Sequence, residues 1–264
     1  MDLKLKNKTA LITGSTKGIG KAIAIALARE GVHVLINGRD QESVENTVLE
    51  IKNKFPDTCP QNAKANLLDR IEREAVINTY PDIDILVNNV GIYEMMDYKD
   101  VDEEVLEKYI QTNFAVANSL TKFYLYKMLE RNVGRVMFIA SEEAVMPSGL
   151  MPQYAITKSM LLSLAKSLSK LTTGKDVTVN TIMPGPTLSE NVKQIIEEMF
   201  QDKDMDFLDK EARFMKENLA HSELQRFIRP DEIGRLTAFL CSPYAGAFKG
   251  SPIRMDGGIV PTII

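Results

Sequence analysis

In SEEAVMPSGLMPQYAITKSM, residues 141–160, Tyr154 stands four residues before Lys158 and thirteen after Ser141. Positions i and i+4 share one face of a helix, so a helical stretch would hold the phenol beside the ammonium. A neighbouring cation favours the phenolate and lowers a tyrosine pKa from about 10, which turns a poor acid into a usable one. Two solvated residues on a surface helix have the same spacing, so the chemistry depends on what positions the pair.

The pair falls in a helix. After Pro152, apolar Ala155, Ile156, Leu161, Leu162, Ala165 and Leu168 recur at helical period as far as Leu171, and Gly174 follows as a stop. Along the chain, short apolar runs alternate with amphipathic segments. Strands are expected over 9–13, 32–37, 83–89, 135–141, 177–183 and 251–258, with a weaker one over 61–66. Helices are expected over 21–30, 41–54 and, briefly, 69–79. This alternation of βαβ units predicts an α/β chain forming one domain over 1–264: a doubly wound, Rossmann-type parallel sheet of about seven strands with helices on both faces. Residues 188–228 break the pattern with charged, Met-containing amphipathic stretches, an insertion that reads as a helical substrate lid.

Composition narrows the function classes. The 264 residues are 44% apolar and 26% charged with a net charge of −4, acids and bases interspersed, which argues against nucleic acid or an anionic membrane as partner. Cys59 and Cys241 are far apart and in no metal-ligand spacing, and His33 and His221 sit in an apolar strand and a polar helical stretch. No metal is expected. With no signal-like start and no run long enough to span a bilayer, the expected location is cytoplasmic.

A second motif lies at the first strand's end, where TGSTKGIG, Thr13 to Gly20, opens the helix KAIAIALARE. Glycines permit a tight turn and close approach of N–H groups to a phosphate, and the helix N-terminus favours its charge. A strand before and a helix after make this a dinucleotide fingerprint.

These motifs together resemble the short-chain dehydrogenase/reductase family, and the match runs along nearly the whole chain. Gly14, Gly18 and Gly20 have the family's glycine spacing. NNVG (88–91) is similar to its N-N-A-G, QTNF carries Asn113 at its helix-borne asparagine, and Ser141, Tyr154 and Lys158 match its serine and Y-x-x-x-K. NTIMPG (180–185) and MDGG (255–258) match its N-x-x-x-P-G and D-G-G. The resemblance implies carbonyl and alcohol interconversion by hydride transfer. Ser141 would hydrogen-bond the substrate oxygen and Tyr154 would exchange a proton with it. Lys158 would lower the tyrosine pKa and bind the nicotinamide ribose, and Asn113 would hold a water leading to solvent. The dinucleotide would touch Gly14, Ser15, Thr16, Lys17, Gly18, Ile19, Gly20, Arg39, Asn66, Leu67, Asn89, Gly91, Tyr154, Lys158, Pro184, Gly185, Thr187 and Ser189. Three positions depart from the pattern: Val90 replaces an alanine, Asn66 an adenine-binding aspartate, and Ser189 a threonine that contacts the carboxamide.

Cofactor choice is read at LINGRD. An NAD enzyme of this fold ends its second strand on Asp or Glu, which accepts from the ribose 2′-hydroxyl. Asn37 and Gly38 leave that place without an acid, and Arg39 and Lys17 supply cations for a phosphate, so NADP(H) is expected over NAD(H). Asp40 reads as the cap of the next helix. The small-molecule carbonyl or alcohol substrate would meet Tyr93, Met95, Glu142, Glu143 and Met151, with Met96, Met199, Met205 and Met215 nearby. Ordinary packing explains the lid methionines equally well. Family members pair helices that would here span 102–131 and 153–172, implying a homotetramer or homodimer. Resemblance to 3-oxoacyl carrier-protein reductases is general; Arg131, Arg135, Lys170 and Lys175 are either a patch for an acidic carrier or solvated charge. A catalytically silent dinucleotide-binding sensor on the same fold is the alternative function, and against it stands the intact Ser141, Tyr154 and Lys158 set.

Overall fold

Seven parallel strands form one sheet in the order β3-β2-β1-β4-β5-β6-β7 in the computed structural model, which describes residues 1–202 and 205–263. The first half runs β1 (Thr9–Ile12), α1 (Gly18–Arg29), β2 (His33–Ile36), α2 (Gln41–Lys54), β3 (Gln61–Asn62), α3 (Arg70–Thr79) and β4 (Ile85–Asn88). The second runs α4 (Glu103–Ile110), α5 (Val116–Arg131), β5 (Val133–Ile139), α6 (Pro152–Ser169), β6 (Asp176–Pro184), α7 (Glu190–Met199), α8 (Phe207–Asn218), α9 (Pro230–Cys241) and β7 (Pro252–Met255). Lys203, Asp204 and Ile264, parts of the expected insertion and C-terminus, lie outside the described residues.

Strands buried on both faces must be apolar throughout, and β1 shows how the faces divide. Ala10 and Ile12 point into one core with Ile23 and Leu27 of α1, Ile51 of α2 and Ile233 of α9. Leu11 points into the other, with Val76 of α3, Leu120 and Tyr124 of α5 and Leu161 of α6. The short helix expected over 69–79 is present as α3, capped by Asp69, whose carboxylate accepts from the N–H groups of Ile71 and Glu72.

Three elements differ from the sequence reading. The strand expected over 61–66 is regular only at Gln61–Asn62, because beyond it the side chain of Asn37 takes the carbonyls of Ala63 and Ala65 at 2.9 and 3.3 Å. The helix over 102–131 is interrupted at Gln111–Ala115 by a turn of π-helix. His221 lies in a turn after α8, not in a helix.

The insertion has a core of its own, Ile196, Phe200, Met215 and Phe227. An ion pair ties it to the sheet's flanking layer: Glu211 of α8, 2% exposed, accepts from the Arg229 guanidinium at 2.5 and 2.6 Å and from the Phe227 N–H at 2.9 Å. Arg229 is the N-cap of α9, and Glu232 one turn on accepts from its N–H and from Arg226, which holds the Glu232 carboxyl down at about 2. Removing one member of a buried pair leaves the other charge uncompensated, at about 3 kcal/mol. Arg229→Ala is therefore expected to speed amide exchange in α8 by roughly 100-fold while the strands keep their protection. Unchanged exchange in α8 would show that the pair does not hold the insertion.

Candidate active site

The carboxyl ends of the strands meet along one edge, and the glycine turn lies at its centre. Gly14 and Gly18 have φ of +62° and +53°, in the left-handed region that favours glycine. Gly20 is required for a different reason: a Cβ there would lie 2.3 Å from the Gly14 carbonyl oxygen and 2.5 Å from Asn89 Nδ2. The turn is clamped from both sides. Asn89 Nδ2 donates to the carbonyls of Thr13 and Gly14, both at 3.0 Å, and Thr13 Oγ1 accepts from the N–H groups of Asn89 and Val90. From the other side, Asn37 Oδ1 accepts from the Gly14 N–H at 3.1 Å. Ser15 is buried and bonded to Ile12 and Asn37, so its hydroxyl braces the turn.

Helix α1 starts without a side-chain cap and has no acid in its first turn. Its leading N–H groups, at Gly18, Ile19 and Gly20, therefore have no carboxylate or hydroxyl competing with an anion. Nothing lies within 4 Å of a Cβ placed on Gly18, so the turn faces open space. Lys17 and Arg39 are exposed there, and neither makes a side-chain ion pair among the described residues. Thr16 closes the other wall, its methyl 2.7 Å from where a Cβ on Gly38 would stand. Asp40 caps α2 by accepting from the Ser43 N–H at 2.8 Å. Asn66 Oδ1 accepts from the Leu68 N–H at 3.3 Å, and Leu67 turns its side chain into the core while its carbonyl accepts from the Arg73 guanidinium at 2.6 Å.

Ser141, Tyr154 and Lys158 come together because β5 ends beside α6. Ser141, 6% exposed, begins a 3-10 turn over Glu142–Ala144, and α6, with Pro152 at its start, projects Tyr154 and Lys158 from one face. Lys158 Nζ donates to the Ile139 carbonyl at 2.9 Å and lies 5.3 Å from the Tyr154 ring centre. Gly91 is the other wall of this pocket; a Cβ there would be 3.3 Å from Lys158 Nζ and 3.4 Å from Asn113 Oδ1.

Asn113 sits in the π turn, fully buried. Its Oδ1 accepts from the Ile92 N–H at 2.8 Å, and its Nδ2 donates to the Ile92 carbonyl and Thr157 Oγ1, each at 3.0 Å. Both amide protons are thus engaged, and a water donating to this residue has only acceptor sites left.

Electrostatics differ from the simple reading of a lysine beside a tyrosine. Burial raises the Tyr154 pKa, and a hydrogen bond with Ser141 opposes that rise without cancelling it. Lys158 is pushed down by burial to about 8, so the cation expected to lower the tyrosine is itself close to losing its proton. Burial likewise lifts the Glu142 carboxyl to about 7.

The two glutamates divide. Glu142 Oε2 accepts from Ser141 Oγ at 2.5 Å, at the site. Glu143 is buried and accepts from the Ser148 N–H at 3.0 Å, which holds the following loop. Tyr93 stands edge-on to Tyr154, ring centres 6.1 Å apart, and is exposed, as is Met95; Met151 is half-buried. Gln153 ties the two mouth loops, donating to the Glu94 carbonyl at 2.9 Å, and the Met96 N–H donates to Leu150 at 3.0 Å. Met199 is exposed, and Met215 lies wholly within the insertion's core.

At the sheet's other end, Gly185 packs against Asp256, whose carbonyl oxygen would be 2.7 Å from a Cβ on Gly185. The backbone of Pro184 and Gly185 is held by the Gly185 N–H donating to Met255 at 3.0 Å. Thr187 Oγ1 donates back to the Gly185 carbonyl at 2.9 Å, and Ser189 caps α7. The basic patch does not form: Arg135 is buried between strands and paired with Asp176 at 2.8 Å, and Arg131 is paired with Asp82. Thr13, Asn37, Gln153 and Thr157 escaped the sequence reading as site residues. Thr13 alone had a signal, its place before the first glycine.

Comparisons with known proteins agree along the whole chain. The short chain dehydrogenase model matches residues 8–199. Uncharacterized oxidoreductase YvaG of Bacillus subtilis (strain 168) is 44% identical over 263 residues, covering 100% of both chains. The 3-oxoacyl-[acyl-carrier-protein] reductase FabG of Aquifex aeolicus (strain VF5) is 32% identical over 278 residues, covering 98% of this chain and 100% of the other. L-sorbose reductase from Gluconobacter frateurii, solved with NADPH and L-sorbose, superposes with a TM-score of 0.91 at 28% identity over 100% of both chains.

The crowding at Gly20 gives a direct test. Gly20→Ala forces either the Gly14 carbonyl or the Asn89 amide to move, and is expected to lower unfolding free energy by about 1–3 kcal/mol in urea denaturation. A wild-type midpoint in that variant would mean the turn relaxes freely.

Proposed function

The chain belongs to the short-chain dehydrogenase/reductase family, and from that premise we propose an NADP(H)-dependent oxidoreductase that interconverts a carbonyl and a secondary alcohol. The observation that carries this reading is the convergence of Ser141, Tyr154 and Lys158 on the strand edge that also bears the uncapped glycine turn. A nicotinamide dinucleotide bound along that edge supplies or accepts the hydride. The N–H groups of Gly18, Ile19 and Gly20 would hold its pyrophosphate, Asn66 and Leu67 its adenine, and Asn89, Gly91, Lys158, Pro184, Gly185, Thr187 and Ser189 its nicotinamide half.

Within the substrate site, Tyr154 gives its proton to the carbonyl oxygen during reduction, and burial keeps that proton in place until the oxygen becomes basic. Ser141 donates a hydrogen bond to the same oxygen. Lys158, poised at about 8, is able to return a proton toward the tyrosine from solvent. The mouth formed by Tyr93, Met95 and Met151 admits a small molecule with an apolar portion.

For the phosphate-bearing cofactor, the support is steric as well as electrostatic. An Asp at position 38 would drive its Cβ against Thr16 and Val44, so an acid for a 2′-hydroxyl would have to displace the Thr16 methyl, whereas Arg39 and Lys17 are exposed and make no ion pair among the described residues. The same reading includes a cytoplasmic location, supported by two free cysteines, and a homotetramer or homodimer through α4–α5 and α6. Exposed Tyr126, beside Phe123 on α5, and exposed Ile156 on α6 support those helices as contact faces.

Three measurements test these assignments. Tyr154→Phe should cut NADPH-dependent carbonyl reduction by at least about 100-fold with NADPH affinity nearly unchanged; more than a tenth of the activity remaining would exclude Tyr154 as the acid. Arg39→Ala should weaken NADPH by about 10- to 100-fold and leave NADH unaffected, since hydrogen bonds to charged groups are worth about 1.5–3 kcal/mol. Sedimentation equilibrium should give two or four times the 29.6 kDa chain mass, and a monomer at working concentration would refute the assembly.

A further inference from the structure

A serine hydroxyl has one proton and two acceptor positions, and at Ser141 the proton and one acceptor position are already allotted. Its Oγ donates to Glu142 Oε2 at 2.5 Å and accepts from the Glu143 N–H at 3.3 Å. An ionised carboxyl can only accept, so while Glu142 is a carboxylate the serine's proton points at it. No proton is then left for a substrate oxygen. If Glu142 is a carboxylic acid, the bond reverses: the acid donates to Oγ, and the serine's own proton is free to turn into the pocket.

We propose that Glu142 is a positioning residue whose protonated carboxyl sets the direction of the Ser141 hydrogen bond, so that the protein is competent for carbonyl reduction only with the proton on Glu142. This rests on the reading of Ser141 as a donor to the substrate oxygen. No proton leaves the Ser141–Glu142 pair during turnover; the proton that reaches the substrate comes from Tyr154.

Two further observations agree. Burial brings the Glu142 carboxyl up to about 7, so the exchange between the two arrangements falls near neutrality. Ionised Glu142 also raises the Tyr154 pKa and would oppose negative charge on the reacting oxygen. The titratable groups around Glu142 are Glu143 in its own turn, Tyr154 and Lys158 on α6, and Tyr93 on the loop after β4. The nearby end of β6, Thr181 to Pro184, brings none. The Glu143 carboxylate acts in the same sense as burial, raising Glu142, while its main-chain N–H acts in the opposite sense.

The test compares pH profiles of kcat/KM for NADPH-dependent reduction in wild type, Glu142→Gln and Ser141→Ala. A glutamine amide donates to Oγ at every pH, so the variant should lose the break near pH 7 and fall only near pH 8, where Lys158 titrates. Scaled to its own acidic plateau, it should exceed the wild type about tenfold at pH 8. Infrared titration of the cofactor-free protein should show a carboxyl that titrates near pH 7 in the wild type and is absent from Glu142→Gln. If the glutamine variant does not fold, Glu142→Ala should also lack the break. A variant that keeps the break at pH 7, one inactive at every pH while binding NADPH, or a wild type with no carboxyl titrating near 7 would each overturn the proposal. Ser141→Ala should be slow at all pH values; if it is not, the donor role of Ser141 falls and the proposal with it.

Discussion

Parallel strands that all end on one edge expose their last main-chain groups in the same narrow strip, and a buried N–H or carbonyl without a partner is costly. Here polar side chains, most of them neutral amides, fill that strip. Asn37 serves Gly14, Ala63 and Ala65, Asn89 serves Thr13 and Gly14, Asn113 serves both groups of Ile92, and Lys158 takes the Ile139 carbonyl. Amides suit the task because each both donates and accepts and brings no charge into a buried strip. The glycine turn and the Ser141–Tyr154–Lys158 pocket are held in place by these bonds.

Lys158 shows what such anchoring does to a charged group. The ammonium that braces β5 has left water to do so, and burial outweighs a single carbonyl bond in fixing its proton affinity. A tyrosine and a lysine four apart on a helix suggest electrostatic activation of the phenol. In the fold Lys158 is buried and Tyr154 half-buried, and desolvation that raises the tyrosine lowers the lysine. Their affinities for a proton, nearly equal in water, are driven apart, so the phenol keeps its proton until the substrate oxygen becomes basic enough to take it.

Much of this was legible in the sequence. The apolar runs located the strands because a parallel sheet covered on both faces tolerates little else, and the glycine turn, the serine, the tyrosine and the lysine announced themselves by spacing. What escaped was whatever depends on a partner far along the chain. Asn37 read only as a missing acid, yet it is the strut between the glycine turn and the residues after β3. Glu142 and Glu143 are one residue type at adjacent positions, and only the 3-10 turn decides which meets Ser141 and which holds the loop. Met215 belonged to a plausible pocket lining until the insertion proved to have a core of its own. The π turn has no sequence signature, since it depends on Asn113 reaching across to Ile92.

That separate core has a consequence for how such a chain can diverge. The packing of Ile196, Phe200, Met215 and Phe227 is distinct from the two layers that cover the sheet, and Glu211 fastens α8 at one point, the start of α9. Random substitutions in α7 and α8 therefore draw on a small, local reserve of stability, and those in the strands on a large, shared one. Selection acting on the insertion is largely decoupled from selection acting on the fold. A lineage can reshape this segment through many neutral steps while the edge that holds the chemistry stays fixed, and descendants of one ancestor would then differ most in sequence between β6 and α9.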